Sequence, residues 1–139
     1  MKKVFTPLVL LILVGFIGCA TAPVWRPLFP PEYKVSKDFD KVWPKIVAAI
    51  SEDFDIAILE KESGYLQTNW KEKRGFLGAK ETRTRVSVRT QKKTAPLEID
   101  VRAEKQGWES WTEQWIDKGN DVDLEEKVRN AVARKLMGD

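Results

Sequence analysis

Two stretches of strict two-residue alternation constrain the fold of this chain most. From Thr82 to Thr90 the even-numbered residues are threonine or valine, and the residues between them are arginine or serine. From Leu97 to Ala103 the odd-numbered residues are apolar, and charged residues separate them. Such alternation is typical of antiparallel strands that bury one face. The sequence therefore predicts two neighbouring strands of a half-buried sheet.

The two strands are expected to pair through a tight connection near Thr94. This register places Val88 opposite Ile99 on the buried face and Arg89 opposite Glu98 on the other face. Acids interleave with the arginine row and partly neutralise it. A nucleic-acid surface needs an uninterrupted basic patch, so we expect no nucleic-acid partner.

The remaining pattern predicts further strands at 33–35, 54–59 and 65–71, a loop at 74–79 that exposes Phe76 and Leu77, and two helices. The first helix begins near Ser36 or Asp38 and the last near Asp121 or Asp123, all residues that favour helix N-termini. Their apolar stripes are Phe39, Val42, Trp43, Ile46 and Ile50, and Leu124, Val128, Ala131, Val132 and Leu136. The order β-α-β-β-β-β-α predicts an α+β two-layer sandwich, with both helices on one face of an antiparallel sheet.

The N-terminus has the features of a secretory signal. Lys2 and Lys3 precede an apolar run from Leu8 to Val14. The pair Gly18-Cys19 resembles the bacterial lipobox, which implies cleavage between these residues and lipid attachment to the cysteine. The alternative is a retained transmembrane helix, but glycines and Pro7 interrupt the stretch, and its strongly apolar part is shorter than the about 20 residues a span needs.

These features divide the chain into three segments. Residues 1–18 are the predicted signal peptide, 19–31 the lipidated cysteine with a proline-rich tether, and 32–139 a periplasm-facing domain. Ala20 follows the cysteine, which by resemblance to lipoprotein sorting signals implies the outer membrane of a Gram-negative bacterium. Trp25 and Phe29 in the tether either pack on the nearest edge of the domain or dock onto a partner or the bilayer.

The composition excludes most catalytic chemistry. The chain has no histidine and a single cysteine, which removes histidine bases, typical zinc sites and disulfides. Helix capping or solubility explains the carboxylate pairs Asp53/Asp55, Asp121/Asp123 and Glu125/Glu126. We therefore expect no enzyme activity, no cofactor and no metal.

A tryptophan cluster follows Gly107. Trp108, Trp111 and Trp115 have the spacing of one helical turn. Trp115 is expected to cap the core. Trp108 and Trp111 either pack in the core with Trp115 or form an exposed partner-binding patch. The second alternative is considered because tryptophan is enriched at binding hot spots and at membrane interfaces.

Five features follow one another along the chain: the lipobox cysteine, the proline-rich tether, the helix start Asp-Phe-Asp-Lys-Val-Trp at 38–43, the strand Gly-Tyr-Leu-Gln-Thr-Asn-Trp at 64–70, and the arginine-rich strand. Together they resemble the helix-grip domain of BamC-like outer-membrane lipoproteins. The resemblance implies an accessory lipoprotein that binds other envelope proteins. Two alternatives stay open: a carrier of a hydrophobic ligand in a helix–sheet cavity lined by Trp43 and Trp70, and a structural tether.

Overall fold

The computed structural model of the protein describes residues 24–30, 32 and 34–138. The predicted signal peptide 1–18 and the lipidation site Cys19 lie outside the described residues. The described chain forms an antiparallel sheet and two helices, which confirms the α+β class. No helix in these ranges combines the length and the apolar character needed to cross a membrane.

In the described residues the sheet has seven strands: β1 Arg26–Pro27, β2 Ile56–Glu60, β3 Tyr65–Thr68, β4 Lys71–Arg74, β5 Lys80–Lys92, β6 Glu98–Glu109 and β7 Gln114–Asn120. The helices are α1 Phe39–Ser51 and α2 Val122–Met137. The strands lie in the order β1-β6-β5-β3-β2, with β4 also pairing with β5 and β7 with β6, and each of these pairings is antiparallel.

The register of β5 and β6 differs from the expected one. Val88 pairs with Val101 rather than Ile99, and Arg89 pairs with Asp100 rather than Glu98. The connection is longer than a tight turn, and the register shifts again between Thr90 and Lys92. A slip of two residues keeps every side chain on its predicted face, so the buried and open faces are as expected.

The core lies between the helices and the even-numbered face of β5. Helix α1 buries its predicted stripe, including Val42 and Ile46, and continues through Pro44 without interruption. Helix α2 buries Val128, Val132 and Leu136. Its N-terminus is capped as expected, because the Asp121 carboxylate accepts the N–H of Leu124 at 3.0 Å.

The N-terminal segment belongs to the packed domain. Strand β1 pairs Arg26 with Val101 of β6, and Leu28 is only 1% exposed. The packing therefore begins before Glu32, at residues expected to form part of the tether. The strand expected at 33–35 is wrong where it can be judged: Lys34 and Val35 lie outside any strand, and Tyr33 is outside the described residues.

Candidate functional site

Two hairpin tips at one end of the sheet expose large apolar side chains. The β4–β5 connection presents Phe76 at 89% and Leu77 at 90% exposure, as the predicted exposed loop required. The β6–β7 connection presents Trp111 at 95%. Because Thr82 pairs with Gly107, the start of β5 lies beside the end of β6, and both tips project from the same end. We call Phe76, Leu77 and Trp111 the tip surface.

Local backbone geometry fixes the first tip. The N–H of Gly75 donates to the carbonyl of Ala79 at 2.8 Å, which closes the turn. Leu77 has a φ of 56° and Gly78 a φ of 77°, both in the left-handed region. Glycine adopts this region readily, whereas leucine is strained there. The turn thus holds a large apolar side chain outward at an unfavourable backbone conformation.

The tryptophan cluster is a hairpin and not a helical turn. Trp108 and Trp115 lie directly opposite each other on β6 and β7, with ring centroids 5.2 Å apart. The Lys80 ammonium lies 4.0 Å from the Trp108 ring centroid. Trp115 therefore packs on the open face of the sheet and not in the core, contrary to expectation. Of the proposed partner-binding pair, Trp111 is exposed, whereas Trp108 is half-buried in this edge-to-face pair.

The face of the sheet opposite the helices is covered by stacked arginines and tryptophans. Trp25 contacts the guanidinium groups of Arg89 and Arg102, with ring-centroid distances of 4.4 and 4.8 Å. Trp70 makes the same contact with Arg85 at 4.5 Å. Trp25 thus packs on the domain, the first of the two alternatives for this residue.

Acidic side chains neutralise the same face. Glu104 contacts both Arg85, at 2.8 Å, and Arg102, at 3.1 Å. Burial lowers the pKa of the Arg83 guanidinium, a shift that Glu72 opposes and Arg85 reinforces. The arginines of this face are therefore engaged with acidic side chains, with Gln106 or with tryptophan rings of the same face.

Phe29 also packs on the domain. It is half-buried against the core and lines a groove of about 260 Å³ beside α2, together with Pro30, Leu136 and Met137.

Strand β2 forms an open edge of the sheet. It pairs with β3 on one side and is the terminal strand on the other. Ile58 is 39% exposed and Leu59 50%. Strand β2 is five residues long, has a register shift between Ile56 and Ile58 and ends on Glu60. The other described edge strands carry more charge or a proline: β4 is Lys-Glu-Lys-Arg, β7 contains Lys118, and β1 contains Pro27. Charges and prolines of this kind normally prevent an edge from pairing with another chain.

Trp43 and Trp70 do not share a cavity. Trp43 is 3% exposed and stacks on Phe39 inside the core. Trp70 stacks on Arg83 and Arg85 on the opposite face of the sheet. The sheet separates the two indoles, so the lining expected for a ligand carrier is wrong.

The sequence did not indicate the role of Glu125. This carboxylate is completely buried and accepts hydrogen bonds from the N–H of Ala103, the amide of Asn120 and the guanidinium of Arg26. It lies in the acidic first turn of α2, where a favourable interaction with the helix dipole was sufficient to account for an acidic residue. Glu125 joins α2 to β6 and to the N-terminal strand, which is a structural role.

In the described ranges, no group of three or more acidic, cysteine or histidine side chains could hold a metal ion. Compared with models of known protein families and with curated proteins, the chain shows no match. Two surfaces of the described domain are left uncovered by the rest of the described chain: the tip surface and the outer edge of β2.

Proposed function

We propose that this protein is a lipid-anchored outer-membrane lipoprotein that acts as a non-catalytic, protein-binding subunit or accessory factor of a cell-envelope assembly. Cleavage between Gly18 and Cys19 and lipidation of Cys19 would anchor it on the periplasmic side. The signal features and the resemblance to BamC-like lipoproteins support the location. The observation that carries the protein-binding role is the open edge of β2.

An extended segment of another envelope protein fits this edge. The outer backbone groups of β2 face no strand of the described chain, and an added strand would hydrogen-bond to them. Side chains alternate between faces, so Ile58 lies with Gln67 on the open face and Leu59 with buried Leu66 on the helix side. One added strand would cover both half-exposed side chains.

The ends of β2 indicate the charge of the partner. Asp55 precedes the strand and Glu60 ends it, and both are exposed. Opposite charges on adjacent strands stabilise pairing, and like charges destabilise it. We therefore expect an alternating apolar segment flanked by lysine or arginine.

Site-specific photocrosslinking in cells tests this binding mode. A photoreactive residue at Ile58 should give a covalent adduct of defined mass, and the same residue at Lys73 in the charged edge strand β4 should not. Leu59→Lys should abolish the Ile58 adduct, whereas the control Glu72→Lys should leave it unchanged. Both sites are exposed, so stability should stay within about 1 kcal/mol. Equal adducts from both edges, or an adduct that survives Leu59→Lys, would contradict the proposal.

The anchor is tested separately. Cys19→Ala should leave the precursor unlipidated and uncleaved, and the protein should leave the outer-membrane fraction. Mass measurement and membrane fractionation read these outcomes directly. A mature-sized Cys19→Ala protein that still fractionates with the outer membrane would show that the lipobox interpretation is wrong.

A further inference from the structure

We infer that the tip surface contacts a lipid bilayer, specifically the membrane in which the chain is anchored. The inference rests on the proposed lipid anchor at Cys19 and adds a second membrane contact, made by the folded domain itself. Phe76, Leu77 and Trp111 are the contacting side chains.

The chemistry of the tips fits the membrane interface. Two adjacent hairpins present three large apolar side chains, each at least 89% exposed, from the same end of the sheet. Aromatic side chains such as Trp111 and Phe76 concentrate where hydrocarbon meets headgroups. Narrow tips can enter the headgroup region while the polar strands stay in water.

The charges beside the tips make the contact chiefly apolar. Two of the basic side chains beside the first tip have acidic partners, since Arg74 contacts Glu72 at 3.3 Å and Lys73 contacts Glu81 at 3.6 Å, and a third, Lys80, lies over the Trp108 ring. Attraction to anionic headgroups is therefore weak. Binding that depends on apolar burial should change little with salt, unlike binding through a basic patch.

The direction of β1 places Val24, the first described residue, on the side of β1 that is nearer the tips. Strand β1 runs antiparallel to β6, and Val24 hydrogen-bonds to Asn120, which pairs with Glu104. Followed from Arg26 back to Val24, the described chain runs in the direction of the tips and ends beside Asn120, where the pairing of β7 with β6 begins. From Glu104 to the last residue of β6, Glu109, is about 17 Å of strand. The residues between Cys19 and Val24 can span at most about 18 Å.

These lengths match. A lipid on Cys19 reaches the membrane most easily when the tip end of the sheet faces it, and the short connection keeps that end close to the headgroups. The β2–β3 turn lies at the opposite end, because Tyr65 pairs with Arg89 near the other terminus of β5. This orientation leaves the β2 edge accessible from the periplasm.

A single introduced cysteine measures the contact in the full chain, processed in a Gram-negative host. Lipidation blocks the thiol of Cys19, the sole natural cysteine, so a fluorophore reacts only with the new residue. We place it at Thr112, beside Trp111, or at Glu62 in the opposite turn as the control; both positions are exposed. The protein is reconstituted into vesicles of equal parts phosphatidylethanolamine and phosphatidylglycerol with brominated acyl chains, which quench fluorophores that enter the bilayer.

The label in Thr112→Cys should be quenched at least about twofold more strongly than that in Glu62→Cys, because interfacial insertion reaches about 5–10 Å deep. Adding Leu77→Asn and Trp111→Ser should remove the difference, since each lost apolar side chain lowers the inserted-to-free ratio about tenfold. Asparagine tolerates the positive φ of residue 77. The control Met137→Ser, which removes a 70% exposed apolar side chain from the end of α2, should change nothing.

Each other outcome is decisive. Equal quenching of the two labels overturns the inference. A change in the fluorescence of the Thr112→Cys label that requires an added envelope protein, and is absent in lipid alone, also overturns the inference in favour of a protein partner. A mass without lipid at Cys19 contradicts the proposed function instead. In that case the two labels are compared in the Cys19→Ala background, where the introduced cysteine is the only thiol and the uncleaved apolar segment would hold the chain at the bilayer.

Discussion

Glu125→Ala tests the clamp that joins the N-terminal strand to the domain. The Glu125 side chain is 0% exposed, and its oxygens accept from Asn120 Nδ2 at 2.7 Å, from Arg26 at 3.1 Å and from the Ala103 N–H at 3.2 Å. Asn120 in turn binds the backbone of Val24 at 2.7 Å. One carboxylate therefore holds β1, β6 and α2 together.

The expected loss of stability follows from these partners. Removing one member of a buried ion pair typically costs about 3–5 kcal/mol, and a buried N–H without a partner about 1–3 kcal/mol. Arg26 is 37% exposed, so water rehydrates its charge and reduces the first contribution. We expect Glu125→Ala to lower the free energy of unfolding by about 3–4 kcal/mol, a large share of what a domain of this size has. Glu125→Gln keeps the volume and one acceptor, and should lose less, about 2 kcal/mol.

Equilibrium urea unfolding, followed by tryptophan fluorescence, measures this loss. The neighbouring Glu126→Ala is the matched control, because Glu126 is exposed and its removal should change stability by no more than about 0.5 kcal/mol. If Glu125→Ala stays within about 1 kcal/mol of the unmodified chain, the clamp does not stabilise the domain and the reasoning fails.

Three further predictions concern other parts of the domain. Leu28→Ala should lower the free energy of unfolding by about 2–5 kcal/mol in the same assay, and an unchanged value would refute the burial of the N-terminal segment. Trp111→Ala should be neutral within about 0.5 kcal/mol, whereas Trp108→Ala should lose about 1–2 kcal/mol of edge-to-face ring contact and cation–π contact; equal losses would contradict the different environments of the two rings. A hydrogen bond and ion pair with Lys135 hold the pKa of Glu52 below its ordinary value of 4.5, so the stability they add is present above that pH and is lost as the pH falls through the lowered pKa. Glu52→Gln should therefore give a smaller decrease of Tm on acidification than the unmodified chain, and identical Tm profiles would count against the pairing.

The buried faces of β5 and β6 could be predicted because alternation records which side of a strand meets the core. Val86, Val88, Val101 and Ala103 are all completely buried, as the pattern required. The register could not be predicted in the same way, because pairings that differ by two residues bury the same side chains. The length of the connection distinguishes the two registers: β5 ends at Lys92 and β6 begins at Glu98, which leaves a longer connection than the tight turn that was expected.

The tryptophan hairpin shows a different limit. A spacing of three and four residues fits one helical turn, but it fits equally a strand, a turn and a returning strand. Gln114–Asn120 lacks apolar alternation, so nothing local marks β7. Trp115 of β7 pairs with Trp108 on the neighbouring strand β6, and the periodicity of a sequence does not encode such a contact. Strand β4 was missed for the same reason, since all four of its residues are charged.

The N-terminal strand changes what the proposed anchor would do. A free tether from Cys19 to Glu32 would let the domain explore a wide volume above the membrane. With Leu28 in the core and Val24 bound to Asn120, only the short stretch between Cys19 and Val24 separates a lipid from the folded domain. A lipid on Cys19 would then hold Val24, rather than the whole sheet, within about 18 Å of the bilayer. Because β2 pairs with β3 near the end of β5 that lies away from the tips, a partner strand added to β2 would approach from the periplasm rather than from within the bilayer.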